Sequence, residues 1–96
     1  MTFAKLDDVQ LYYEEAGDGY PILLSHGGFG DITEWNPQVE ALSQHYRVIR
    51  YDRRGCGRSR PMDIPQLAEL WVEDMKQFMD SLGLEQAHLG GVSYGG

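Results

Sequence analysis

The chain has 96 residues, 42% hydrophobic and 24% charged, so it is globular in composition and holds one domain at most. Its formal net charge of −7 repels phosphate backbones and argues against a nucleic-acid partner. The single cysteine, Cys56, rules out an internal disulfide, and no stretch approaches the ~20 apolar residues that cross a bilayer.

The N-terminal segment from Met1 to Gln10 lacks a long apolar run and carries Lys5, Asp7 and Asp8, so it does not read as a signal peptide. The expectation is a cytoplasmic protein with no membrane contact. Arg50, Arg53, Arg54, Arg58 and Arg60 cluster within one short region and read as a loop feature rather than a nucleic-acid patch.

In chain order, Thr2 to Leu6 and Gln10 to Glu15 predict two short strands joined by a turn at Asp7-Asp8. In the second, Leu11 and Tyr13 alternate with Tyr12 and Glu14, the pattern of a half-exposed strand. Pro21 to Ser25 contains Ile22, Leu23 and Leu24 in succession, which suits a strand buried on both faces. Trp35, Val39, Leu42 and Tyr46 fall on one face of a helix over roughly residues 34 to 44. Arg47 to Tyr51 is a further buried-type strand, followed by a loop from Asp52 to Pro61.

Leu67, Leu70, Trp71, Met75, Phe78, Met79 and Leu82 then mark an amphipathic helix. Asp63 is its N-cap candidate, with Pro65 in the first turn and Gln66 three residues on. Gly83 is its C′ candidate. Ala87 to Gly91 is a last short strand. After the first two strands the order is strand, helix, strand, helix, strand, which implies a parallel sheet with helices on its faces. In such sheets function gathers at the carboxyl ends of the strands.

Three motifs lie at such ends. Gly91-Val92-Ser93-Tyr94-Gly95 is a G-x-S-x-G pattern directly after a strand. A sharp strand-to-helix turn there pushes the hydroxyl of Ser93 outward, and crowding requires Gly91 and Gly95 to be small. The N–H of Tyr94, at the start of a helix, can then stabilise an oxyanion. The second motif is His26-Gly27-Gly28-Phe29-Gly30, where glycine lets the backbone turn an N–H toward a nucleophile. The third is Asp52-Arg53-Arg54-Gly55-Cys56-Gly57-Arg58-Ser59. Gly55 and Gly57 there allow sharp turns.

These segments, in this order and spacing, resemble the α/β-hydrolase superfamily over nearly the whole chain, from about Thr2 to Gly96. His-Gly opens the family's oxyanion loop, and the third motif is similar to its D-x-R-G-x-G-x-S loop. The resemblance implies a partial α/β-hydrolase fold: a mostly parallel sheet with flanking helices, truncated after the strand that carries the nucleophile elbow. Residues 1–96 would be the N-terminal portion of a single domain. Ser93 would be the nucleophile. The N–H groups of Tyr94 and Gly28 would form the oxyanion hole, with Phe29 replacing Gly28 if the loop register differs by one.

His26 is read as a brace for its loop rather than as the general base, because the family's base lies downstream of the serine. Asp52 and Arg54 are read as making a structural ion pair or loop hydrogen bonds. Cys56 fills a small packing space. His45 is expected to be exposed at a helix end, and His88 to be a hydrogen-bonded core residue. His26, His45 and His88 are too far apart in sequence to read as a metal site, and no cofactor is implied.

The implied activity is cleavage of a small acyl or ester substrate: an ester, thioester, lactone or carbon–carbon bond next to a carbonyl. Perhydrolase and acyltransferase chemistry occurs in the same family. A serine nucleophile needs a base and an orienting carboxylate, which in the family follow in the order Ser, Asp or Glu, His. Only Tyr94, Gly95 and Gly96 follow Ser93. The expectation is therefore a fragment, inactive alone, lacking the acid, the histidine and the cap, with an open edge on its last strand. The alternative reading is a fragment of a non-catalytic ligand-binding or receptor protein of the same fold. A dinucleotide-binding loop at Gly27-Gly28-Phe29-Gly30 is disfavoured, because the G-x-G-x-x-G spacing is not met.

Overall fold

The computed structural model describes residues 2–6, 8–26, 32–54, 56–60 and 68–91. Five strands form one mixed sheet: β1 (Thr2–Lys5), β2 (Gln10–Ala16), β3 (Tyr20–Ser25), β4 (Tyr46–Tyr51) and β5 (His88–Gly91). Their spatial order is β1-β2-β4-β3-β5. β2 pairs antiparallel with β1 and with β4, whereas β3 pairs parallel with β4 and with β5. Parallel neighbours need long crossovers. The first carries a 3-10 turn (Ile32–Trp35) and α1 (Asn36–Leu42), and the second carries α2 (Ala68–Ser81).

The consecutive apolar residues of β3 and β4 are explained by their two covered faces. On one face Leu11, Leu23, Ile49 and Tyr51 pack with Phe78 of α2. On the other, Ile22, Leu24 and Val48 meet Trp35, Val39, Leu42 and Tyr46. Side chains alternate across a strand, so each of these strands feeds both cores. The stripe read along α2 is its buried face. Phe78 is fully buried, its ring 5.2 Å from that of Tyr13 and 4.9 Å from that of Tyr51.

The end of α2 follows its sequence signal. Gly83 takes φ +71°, its N–H donates to the Asp80 carbonyl (3.1 Å), and the Leu84 N–H donates to the Met79 carbonyl (2.9 Å). This is a Schellman closure, which needs a left-handed residue at C′. The start signals Asp63, Pro65 and Gln66 lie outside the described residues.

Three expectations are corrected. The helix read over 34–44 begins earlier, as a 3-10 turn from Ile32, and its α-helical part ends at Leu42. Its start is set by a distant carboxylate, that of Asp52, which accepts the Ile32 N–H.

Tyr12 is buried rather than half-exposed, because the 56–60 segment covers that face of β2. The Tyr12 N–H donates to Ser59 Oγ (2.9 Å), and the Arg58 guanidinium lies over the Tyr12 ring at 5.1 Å.

His88 is exposed rather than a core residue. It opens β5, whose only partner strand among the described residues is β3, and its ring rests beside Tyr20 (4.8 Å) and Tyr46 (6.1 Å). Leu89 on the same strand is 60% exposed. No helix among the described residues is long and apolar enough to cross a membrane.

Candidate active site

The register of the parallel strands sets the platform. Ser25 ends β3 and stands opposite Tyr51 on one side and Gly91 on the other. The three neighbouring strands therefore end at one level, at Ser25, Tyr51 and Gly91, with His26 and Asp52 following the first two. Neighbouring strands lie ~4.8 Å apart. β4 and β5 flank β3 from opposite sides, so the order of the parallel strands reverses at β3, and a crevice at the carboxyl ends is expected there. Gly91 closes β5. Ser93, Tyr94 and Gly95, like Gly27, Gly28, Phe29 and Gly55, lie outside the described residues. What the structure gives is the ground on which these segments stand.

His26 is fully buried, and its Nε2 accepts the Arg53 backbone N–H at 3.0 Å. The ring thus ties the end of β3 to the turn after β4. A nitrogen that accepts a backbone N–H must be unprotonated, so Nε2 has no lone pair left to take a proton from a hydroxyl. Burial holds the Tyr51 hydroxyl above its ordinary pKa, with the Ser25 side chain acting against the rise.

Asp52 is engaged at every polar group it owns. Its N–H donates to the Tyr12 carbonyl (2.9 Å), and its carbonyl accepts from Ser59 Oγ. Oδ1 accepts the Ile32 N–H (2.8 Å), and Oδ2 accepts the Arg58 N–H (2.8 Å). Hydrogen bonds to an ionised acceptor are the strong ones, each contributing about 1.5–3 kcal/mol. Gly57 makes room for this carboxylate. Its φ is +51°, and a Cβ placed there would lie 2.3 Å from Asp52 Oδ2. The glycine pattern of the third motif is, at this position, a requirement of the carboxylate next to it.

Arg54 looks the other way. Its Nε and Nη2 donate to Asp74 Oδ2 (2.6 Å) and Oδ1 (2.7 Å), and Nη1 and Nη2 donate to Asp8 Oδ2 and Oδ1 (both 3.0 Å). Of the two roles read from sequence, Asp52 takes loop hydrogen bonds. The ion pairs of Arg54 go to α2 and to the β1–β2 turn. Arg54 and Asp74 are buried, whereas the Asp8 side chain is 65% exposed. The hydrogen bonds from Arg54 hold the Asp8 carboxyl below its ordinary pKa, and the two carboxylates hold Arg54 above its own. The neighbouring Arg53 is also buried, its guanidinium 4.2 Å from the Trp71 ring centre. Cys56 is buried within the turn, its N–H donating to the Arg53 carbonyl.

Sequence reasoning missed Asp8, Asp74, Ile32 and Ser59 as partners in this network. Asp74 carried a usable signal: three residues after Trp71 and four before Phe78, it puts a charge on the apolar stripe of α2. The Ile32 N–H carried none, since its partner is 20 positions away.

The cleft beside Asp52, lined by Tyr12, Glu14, Thr33 and Arg58 among others, holds about 150 Å³. Small-molecule sites usually hold ~300 Å³ or more, so the described residues alone enclose less space than such a site. Among the described residues, no three His, Cys, Asp or Glu side chains are grouped to hold a metal ion.

The comparisons agree with this geometry. A family model described as alpha/beta hydrolase fold matches residues 20–96. The chain is 43% identical over 96 residues to "Putative carbamate hydrolase RutD" of Azorhizobium caulinodans, covering all of this chain and 36% of that protein. It is 45% identical over 75 residues to 3-oxoadipate enol-lactonase 1 of Acinetobacter baylyi, covering 78% of this chain and 29% of that protein. The crystal structure of the enol-lactonase from Burkholderia xenovorans LB400 superposes with a TM-score of 0.91 at 36% identity, covering 98% of this chain and 38% of that one. The chain thus spans about a third of the length of the curated relatives it matches. The matching segment, the paired register of β4, β3 and β5, and the superposition lead to one conclusion: this chain belongs to the alpha/beta hydrolase fold family.

Proposed function

We propose that this chain is the N-terminal part of a serine hydrolase that cleaves the acyl–oxygen bond of a small lactone, ester or carbamate. Ser93 Oγ attacks the carbonyl carbon. The N–H groups of Tyr94 and Gly28, or Phe29 if the loop is shifted by one, hold the oxygen as it gains negative charge. The observation that carries the reading is the pairing of Ser25 with Gly91. The segment that begins His26-Gly27-Gly28 and the segment that holds Ser93 leave adjacent strands at one level. An oxyanion donor must stand ~3 Å from the oxygen on the carbon that the nucleophile attacks, so the two segments have to start close together. The names of the relatives, a carbamate hydrolase and an enol-lactonase, support the substrate class.

None of the three histidines in the chain suits the role of base. Nε2 of His26 is held by the Arg53 N–H. His45 precedes β4 and His88 opens β5, so both lie at the amino ends of the strands, away from residue 92. Four residues of strand rise span ~10 Å, whereas a base must stand within ~3 Å of its proton. In this reading the base is a histidine C-terminal to residue 96, in the order the family uses. The 96-residue chain alone then hydrolyses an activated short-chain ester no faster than buffer does.

The test is covalent labelling of the complete protein with a fluorophosphonate. The expected result is one phosphonyl group on Ser93 and no labelling of Ser93→Ala. Labelling that survives Ser93→Ala, or no labelling of the folded wild-type protein, overturns the assignment.

A further inference from the structure

Residues 52 and 53 are adjacent in sequence, yet they hold both ends of the segment that begins at His26. The Arg53 N–H donates to His26 Nε2 at the near end (3.0 Å), and Asp52 Oδ1 accepts the Ile32 N–H at the far end (2.8 Å). All four residues are buried, with exposures of 0% for His26, 7% for Ile32, 2% for Asp52 and 2% for Arg53. The dipeptide is itself fixed. Asp52 N–H is bonded to β2 through Tyr12, its carbonyl accepts from Ser59, and its second carboxylate oxygen accepts the Arg58 N–H.

From this we infer that Asp52 is a positioning residue for the oxyanion loop. Its carboxylate holds the Ile32 N–H, and the Arg53 N–H holds the His26 ring, so residues 52 and 53 grip the two residues that flank 27–31 in sequence. The inference rests on the reading of Gly28 as an oxyanion donor. An oxyanion donor displaced by about 1 Å forfeits much of its effect, so the placement of the residues that flank it bears on catalysis. Both carboxylate oxygens of Asp52 and the Arg53 N–H are taken up by these internal hydrogen bonds. The effect on catalysis passes through the direction of one backbone N–H, so it belongs to kcat rather than to KM.

The choice of carboxylate is specific. A neutral amide at position 52 would turn an NH2 group toward one of the two backbone N–H donors, and alanine would leave both donors buried without acceptors. Glutamate keeps the charge but carries one more methylene into a space that Gly57 leaves open by having no Cβ.

The experiment uses the complete protein and Asp52→Asn and Asp52→Ala, with activity counted per active serine by fluorophosphonate titration, so that unfolded molecules drop out. The expected result is kcat per titrated site lowered at least tenfold with KM within twofold of wild type. Phosphonylation of Ser93 is slowed in proportion. Unchanged kcat per titrated site, with only the titratable fraction reduced, assigns Asp52 a folding role alone and overturns the inference. If neither variant folds, amide hydrogen exchange in the wild-type protein decides. Ile32 and Arg53 N–H protected to a similar degree support the clamp, and an Ile32 N–H exchanging at the rate of an open chain refutes it. Failure of the serine assignment shows separately, as labelling that survives Ser93→Ala.

Discussion

Arg54 grips Asp74 through two parallel hydrogen bonds, 2.6 and 2.7 Å long, with both side chains about 5% exposed. One guanidinium thereby joins the turn after β4 to the middle of α2. The same group reaches Asp8 in the β1–β2 turn. Breaking a buried pair by removing one partner leaves the other charged and dry. Arg54→Met is expected to lower stability by about 3–5 kcal/mol, read as a shifted midpoint in urea. Arg54→Lys recovers only part of this, since an ammonium cannot make the paired contact.

Asp8 is expected to supply a small acid-dependent share of stability. Its carboxyl is held below the ordinary value of 3.8 in the folded protein by the hydrogen bonds from Arg54. The unfolded chain therefore binds more protons on this group in the range below about pH 5, and stability from this source rises with pH. It is fully present above the unfolded value and lost as the pH falls through the folded one. Asp8→Asn flattens the urea midpoint against pH in that acid window. At pH 7, where the exposed pair is screened, it changes stability by no more than about 1 kcal/mol.

Phe78 anchors α2 to the sheet. The side chain is fully buried and lies between the rings of Tyr13 and Tyr51. Phe78→Ala removes the contact and leaves a cavity, at a cost of about 3–5 kcal/mol in denaturant. Phe78→Leu fills most of that space and is expected to cost less.

Gly57→Ala is expected to be more harmful than its size suggests. The residue has φ +51°, and an added Cβ would meet the Asp52 carboxylate at 2.3 Å. The substitution strains the backbone by about 1–2 kcal/mol and also displaces a carboxylate that holds two N–H groups. The expected signature is a lower midpoint in urea together with loss of Ile32 N–H protection in hydrogen exchange. Full protection of that amide in the variant contradicts the account.

Much of the sheet was legible because its signals are local. Ile22 to Leu24 and Val48-Ile49 are continuous apolar runs, and such runs in short strands require cover on both faces, which α1 and α2 supply. Gly83 was legible for the same reason, since its left-handed turn depends on its own residue type. The network around Asp52 was not. Its partners are 20 positions away at Ile32 and 47 apart between Tyr12 and Ser59, and they meet because β4 lies between β2 and β3 in the sheet order. Nothing local in Tyr12 announces that a later loop will bury it. His88 was misread for a related reason: a strand sequence does not say which strands pair with it, and among the described residues β5 pairs with β3 alone.

The most direct measurement is the position of one oxygen. In a crystal structure of the complete protein phosphonylated at Ser93, the account places the phosphonyl oxygen within ~3 Å of two backbone N–H groups, those of Tyr94 and of Gly28 or Phe29. A phosphonyl oxygen turned away from the 26–32 segment and bonded only to water would contradict it.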